Sequence, residues 1–295
     1  MSISSHATRL VSAIAAALLL ISCGNSSRTQ QKAAPTQNPT AAPASTETAA
    51  PTTGTVETST APTAPDAAGT PDRNADAIKA LDRMSAYLRT LKAFQIRSET
   101  TRDEVLENGQ AVTFAGVVDM LVQRPNHLRA EVTSDKQNRM YFYDGKSFSL
   151  WGKRVNYYAT VPAPPTLRAL ADVLDEKYNV EMPLADLFYW GERRSADDLE
   201  SAVDVGPSQI GGVTCEHYAF RQKGADWQLW IQQGEFPLPR KLVITTTSDE
   251  ALPRFSSVMT WNLAPSFDAS AFTFVPPSDA KRIPFAINSP SEVAP

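Results

Sequence analysis

From Phe94 to Asn262 most of the hydrophobic pattern of this chain repeats every two residues, and no other feature narrows its fold so far. Side chains alternate across a strand, so Phe94, Ile96, Ser98 and Thr100 share one face and Gln95, Arg97 and Glu99 the other. Asn108-Gly109 suits the two positive φ angles of a type I′ hairpin. The return strand carries Val112, Phe114, Val118, Met120 and Val122, and Arg124-Pro125-Asn126 turns the chain into Leu128, Ala130 and Val132. Strands at 139–143 and 146–151 flank the turn Asp144-Gly145, and 156–161 ends this meander. The pattern resumes at 202–210, 213–221, 227–233, 240–247 and 255–262, with a last short strand at 272–274. Connections this short join antiparallel neighbours.

Two stretches follow the helical period instead. Ile78, Leu81, Met84, Leu88 and Leu91 form an apolar stripe behind a cap at Asp72 or Asn74. Pro162, Pro164 and Pro165 end the first meander, and Leu167, Leu170, Val173 and Leu174 then predict a helix over 166–178. Pro183 opens a shorter helical piece, 184–190, before a charged run at 192–200. The fold class is α+β: an antiparallel sheet of about eleven strands, a leading helix and a helical insert.

The folded part begins near residue 73. Residues 24–72 are mostly Ala, Pro, Thr, Ser and Gln, with Val56 as the only large aliphatic side chain and no aromatic. Such a stretch buries too little apolar surface to offset its ordering entropy, so it is expected to be a disordered tether of about 35–42 Å mean reach. Residues 73–283 are the size of one domain, and 284–295 are expected to be a disordered tail.

The net charge of −4 leaves no electrostatic footprint for nucleic acid. Beyond residue 23 only His127, His217 and Cys215 remain as histidine or cysteine, with no Cys-x-x-Cys and no His-Glu-x-x-His spacing. No Gly-x-Ser-x-Gly elbow or Gly-rich phosphate loop is present. The sequence points to a binding protein without cofactor or metal, and not to an enzyme. Cys215 reads as a buried, inert thiol, and His217 as a strand residue pointing outward or bonded to a neighbour.

The N-terminus carries Arg9 and an apolar run from Leu10 to Leu20, about half of what spans a bilayer. Its end, Leu20-Ile21-Ser22-Cys23, resembles the lipobox of bacterial lipoproteins. The resemblance implies a signal peptide over 1–22, and Cys23 as the lipidated first residue of a membrane-anchored chain. Gly24 stands where Asp would retain an enterobacterial lipoprotein in the inner membrane, so an outer-membrane location facing the periplasm is implied. An ordinary secretory signal that happens to hold a Cys is the alternative.

Three passages, Phe142-Tyr143-Asp144-Gly145-Lys146, Phe236-Pro237-Leu238-Pro239-Arg240-Lys241 and Phe272-Thr273-Phe274-Val275-Pro276-Pro277, are similar to the superfamily of LolA, LolB and the LppX-like mycobacterial lipid-binding lipoproteins. Tyr158-Ala159-Thr160-Val161-Pro162 and Gly212-Val213-Thr214-Cys215-Glu216-His217-Tyr218 resemble, more narrowly, the predicted periplasmic proteins of domain of unknown function 2092. The resemblance implies a strongly curved half-barrel with helices closing its open side as a lid.

In a half-barrel the concave side can be too wide for side chains to fill. Phe94, Phe114, Met120, Phe142, Phe148, Trp227, Met259 and Trp261 are then the expected lining of a cavity for a lipid or acyl chain. Leu167, Leu170, Leu174, Leu187 and Phe188 are the expected lid. A sheet fully packed by its helices would spend the same residues on its core. That alternative leaves a structural or sensory module that binds an envelope protein, like the anti-sigma regulators of the superfamily.

Overall fold

The computed structural model describes residues 73–190 and 198–287. The expected signal peptide, Cys23 and the expected tether to residue 72, together with residues 191–197 and 288–295, lie outside the described residues.

Helix α1 (Ala75–Thr90) starts at Asn74, whose Oδ1 accepts from the backbone N–H of Asp76 and Ala77, both at 2.9 Å. Its stripe of Ala77, Ala80, Leu81, Met84 and Leu88 is buried. A first meander follows: β1 (Ala93–Val105), β2 (Ala111–Gln123), β3 (His127–Ser134), β4 (Asn138–Tyr143), β5 (Ser147–Gly152) and β6 (Tyr157–Pro162). The insert holds α2 (Leu167–Tyr178) and the single turn α3 (Asp186–Trp190). The second meander is β7 (Leu199–Ile210), β8 (Val213–Gln222), β9 (Ala225–Gln232), β10 (Pro239–Thr246) and β11 (Arg254–Asn262). A 3₁₀ turn (Ala269–Phe272) and β12 (Lys281–Arg282) follow.

The sheet is one open, curved layer in the order β12-β6-β5-β4-β3-β2-β1-β11-β10-β9-β8-β7. Each meander pairs with itself, and β1 against β11 joins them. At this seam Ser98 and Ser257 are buried and share a hydrogen bond of 2.7 Å. Register brings Ile96, Met120, Ala130 and Tyr141 side by side on the concave face, and Ile244, Trp227 and Phe220 on the other half. All are buried.

The helices supply the cover. The Thr166 hydroxyl caps α2 by accepting from Ala169 N–H at 3.2 Å, and Asn179 ends it with φ 51°. Leu167, Leu170, Ala171 and Leu174 point into the core. Trp190 of α3 stacks on Trp227, centroids 6.2 Å apart. The Tyr143 hydroxyl donates to the carbonyl of Pro164, tying the start of the insert to β4.

Two expectations are corrected at the C-terminal end. The strand expected at 272–274 is the end of the 3₁₀ turn and an extended segment outside the ladder. Phe-Thr-Phe alternates like a strand, but each ring is held by aromatic cover. Phe272 packs on His127 and Phe267, and Phe274 on Phe142, Trp151 and Tyr158. The twelfth strand comes later and runs parallel to β6, pairing Lys281 with Tyr157. The domain also extends past 283. Phe285 rounds the β6 edge and packs against Phe148 and Tyr178.

Candidate functional site

The expected cavity residues separate into three groups. Phe94, Met120, Phe148, Trp227 and Met259 lie on the concave face but are at most 4% exposed, and they form the floor of the core. Trp261 and Phe114 share that face and are half-buried. Trp261 tilts against Phe94 and donates from Nε1 to the Pro239 carbonyl at 2.8 Å, while Lys136 Nζ sits 4.5 Å above the Phe114 ring. Phe142 is on the wrong face. Tyr141 and Tyr143 turn toward the helices, so the residue between them turns outward, under Phe274 and beside Arg129.

The expected lid is packed down. Leu167, Leu170, Leu174, Leu187 and Phe188 are all between 0% and 2% exposed. Over most of the concave face there is therefore core, and not cavity.

One stretch differs. Arg102 of β1, Phe114 of β2, Val132 of β3, Arg139 of β4 and Phe255 of β11 are half-buried, and the connector between α2 and α3 reaches Arg102 through Glu181. The register places Arg102 between Phe114 and Phe255. Arg102 Nη2 donates to both carboxylate oxygens of Glu181, at 2.9 and 3.0 Å, and its guanidinium lies 5.6 Å from the Phe255 ring centre. Three residues earlier than Leu187, Leu184 holds φ at 53°, a left-handed conformation costing a branched side chain about 1–2 kcal/mol.

Burial dominates the electrostatics of this group. The Glu181 side chain keeps 31% of its surface accessible, yet burial raises its carboxyl pKa even though Arg102 pulls it down. Asp186 is half-buried, and burial, followed by the charge of Glu181, pushes its carboxyl up to about 6. Burial also raises the Tyr141 phenol, with Arg139 and Arg102 acting against it and Glu181 adding to it.

Sequence reading missed Arg102, Glu181 and Asp186, whereas Phe255 belongs to the aromatic set that the strand pattern places on the sheet. A signal was there: Asp186 is the only charge in the run Met182–Trp190. A second hollow of about 590 Å³ lies between α1 and the β8–β10 turns, lined by Arg83, Tyr87, Glu216, Gln233 and Pro237 among others. None of the expected cavity residues lines it.

His217 is on the outer face, stacked on Trp230 with centroids 3.9 Å apart and within 3.1 Å of Gln228 Oε1. Burial lowers its pKa, and Lys241, above the same indole, adds to the effect. Cys215 is buried and its thiol pKa is raised by burial. Among the described residues no three His, Cys, Asp or Glu converge to hold a metal, and no helix is long and apolar enough to cross a membrane.

An open, curved antiparallel sheet with a leading helix and an insert packed on its concave face defines the class of this protein. The chain belongs to the DUF2092 family of predicted periplasmic proteins, whose pattern matches residues 77–286. No curated protein matches it. Among solved structures it is similar to an uncharacterized conserved protein from Thermus thermophilus, at 12% identity and a TM-score of 0.41, covering 71% of this chain and 99% of that one. It is also similar to lipoprotein LppX from Mycobacterium tuberculosis, at 13% identity and a TM-score of 0.41, covering 66% and 100%. LprF from Mycobacterium bovis is 14% identical with a TM-score of 0.37, covering 72% and 100%.

Proposed function

We propose that this protein is a periplasmic lipoprotein that binds a hydrophobic ligand, a lipid or the acyl chains of another lipoprotein, without catalysing a reaction. The observation that carries the reading is the recess beneath the α2–α3 connector. Its apolar residues, Phe114, Val132, Leu184 and Phe255, remain half-buried while Phe94, Met120, Phe148, Trp227 and Met259 are closed off in the core. Apolar surface left in a concavity beside a few polar groups is the usual make-up of a small-molecule site. Cys23 serves as the lipid anchor, residues 24–72 as a tether, and the outer membrane as the location, with the domain facing the periplasm.

Native mass spectrometry of the protein purified from its own membrane tests the ligand. A bound mass that leaves on organic extraction is expected, and an empty protein would count against the reading. Cys23→Ser should release the chain from the membrane fraction. Persistence there after a high-salt wash would remove the anchor, and recovery with inner-membrane density would correct the location.

A second reading, an interaction module for an envelope protein, draws support from the closed floor. Phe94, Met120, Phe148, Trp227 and Met259 leave no room among themselves for a chain. On that reading the recess contacts a partner's side chain, and the purified protein carries no lipid.

A further inference from the structure

The hollow between α1 and the β8–β10 turns is separate from the recess and differently lined. Its volume of about 590 Å³ is ordinary for a small-molecule site. One wall is a second stripe of α1: Arg83, Ala86, Tyr87 and Thr90 recur at three- and four-residue spacing beside the stripe that packs on the sheet. The floor is the concave side of the sheet. There the register sets Glu216 opposite Ile231, and Tyr218, two residues on, shares their face. The turn after β9 supplies the rim, with Gln233, Glu235 and Pro237.

Several polar groups are already held in place. Gln233 Nε2 donates to Glu216 Oε1 and so fixes that carboxylate. Arg240 Nε and Nη2 both donate to Gln232 Oε1, at 2.9 and 2.6 Å, which leaves the N–H groups of this amide as donors. Phe236 braces the Tyr87 ring, with centroids 6.0 Å apart. Two groups are unanswered. Arg83 has no ion pair or hydrogen bond among the described residues. Tyr218 is 4% exposed, yet its hydroxyl has no hydrogen-bond partner among them either. Burial raises the Tyr218 pKa, Asp204 and Glu216 add to the rise, and Arg83 opposes it, so the phenol feels both walls. A hydroxyl left unpaired at the base of a hollow favours a ligand that brings hydroxyls of its own.

The lining disfavours other occupants. An acyl chain would leave Arg83, Glu216 and the Tyr218 hydroxyl dry and unpaired. An anion would face Glu216 and Glu235, and a cation would face Arg83. We infer that the hollow binds a neutral saccharide, a pyranose laid with its apolar ring face on Tyr87 and its hydroxyls toward Arg83, Glu216 and Tyr218. Each sugar hydroxyl both donates and accepts, so it can take a hydrogen bond from the guanidinium at one edge and give one to the carboxylate at the other. This site does not depend on the hydrophobic-ligand reading and stands or falls without it.

Calorimetric titration of the full chain carrying Cys23→Ser, at pH 7 without detergent, tests the site with chitobiose, cellobiose and maltose. At least one should bind with a Kd below about 1 mM. Arg83→Ala, at an exposed helix position that Ala suits, should weaken that binding by about tenfold or more. Tyr218→Phe removes only the hydroxyl and should weaken it by about three- to tenfold, with circular dichroism confirming the fold. Sorbitol, which has hydroxyls and no ring, should bind far more weakly, and so should the zwitterion glycylglycine. These two comparisons need no substitution and hold should a variant not fold. A wall glycan as the source predicts retention on insoluble peptidoglycan, and a lipid head group predicts flotation with vesicles carrying glucosyl diacylglycerol, each released by the disaccharide; a free sugar predicts neither. Absence of binding by all three disaccharides, equal binding of sorbitol or glycylglycine, or an affinity unchanged in both variants overturns the site, whatever the recess binds.

Discussion

Phe285 lies against Tyr178, ring centroids 5.1 Å apart, so the last described stretch of chain closes onto the insert from the far side of β6. It also meets Phe148 at 6.0 Å. The segment after β12 therefore joins the core instead of trailing from it.

Phe285→Ala removes a partly buried ring from two aromatic neighbours and should cost about 1–3 kcal/mol. Chemical denaturation of the variant beside the parent measures it. A loss under about 0.5 kcal/mol would mean the ring only rests on the surface.

Leu170→Glu should unfold the domain. Leu170 is 1% exposed beneath α2, and a carboxylate there has no partner, a cost of several kcal/mol. Were the insert a loose lid, the helix would swing out and the fold would survive. Far-UV circular dichroism and the melting temperature separate the two outcomes.

Phe148→Ala and Phe142→Ala test which face each ring occupies. Phe148 is fully buried, so its loss should cost about 3–5 kcal/mol. Phe142 lies outside the sheet under Phe274 and should cost about half as much or less. Equal losses would contradict the register of β4 and β5.

Asp186 makes stability depend on pH in an unusual direction. Its folded pKa, about 6, lies above the ordinary carboxylate value of 3.8, so the folded state holds the proton more tightly than the unfolded chain. The protonated form's stability is fully present below 3.8 and is lost as the pH rises through 6. Asp186→Asn should thus gain about 1–2 kcal/mol at pH 7–8, and the gain should shrink toward zero near pH 4. Urea melts of both proteins at the two ends of this window supply the check; a gain that grows on acidification would refute it.

The strand set was legible because each turn carried its own chemistry: Asn108-Gly109, Asp144-Gly145 and Gly211-Gly212 all hold a glycine at positive φ. The helices were legible from their stripes. What failed was the assignment of faces and fillings. In β4, Tyr141, Phe142 and Tyr143 are all aromatic, and alternation cannot choose the inner pair when both faces are covered. The cover on Phe142 comes from Phe274, far along the chain, and no local pattern announces it. Lys281-Arg282 has no strand signal, because a two-residue parallel pair at an edge needs none. The recess escaped notice because an Arg, a Glu and an Asp from β1 and the insert read singly as surface charges. Only the folded chain, which brings Glu181 of the insert to Arg102 of β1, joins the two.

The seam between β1 and β11 has a consequence for the order of folding. Every other long-strand pairing joins neighbours in sequence, so each meander can zip up from its own turns. Pairing Ser98 with Met259 instead closes a loop of about 160 residues, whose entropic cost only finished meanders can offset. Until it forms, two half-sheets coexist, each with a raw edge of unpaired backbone. The buried serine pair at this junction favours one alignment of the halves, since a slip by one residue would turn both hydroxyls away from each other.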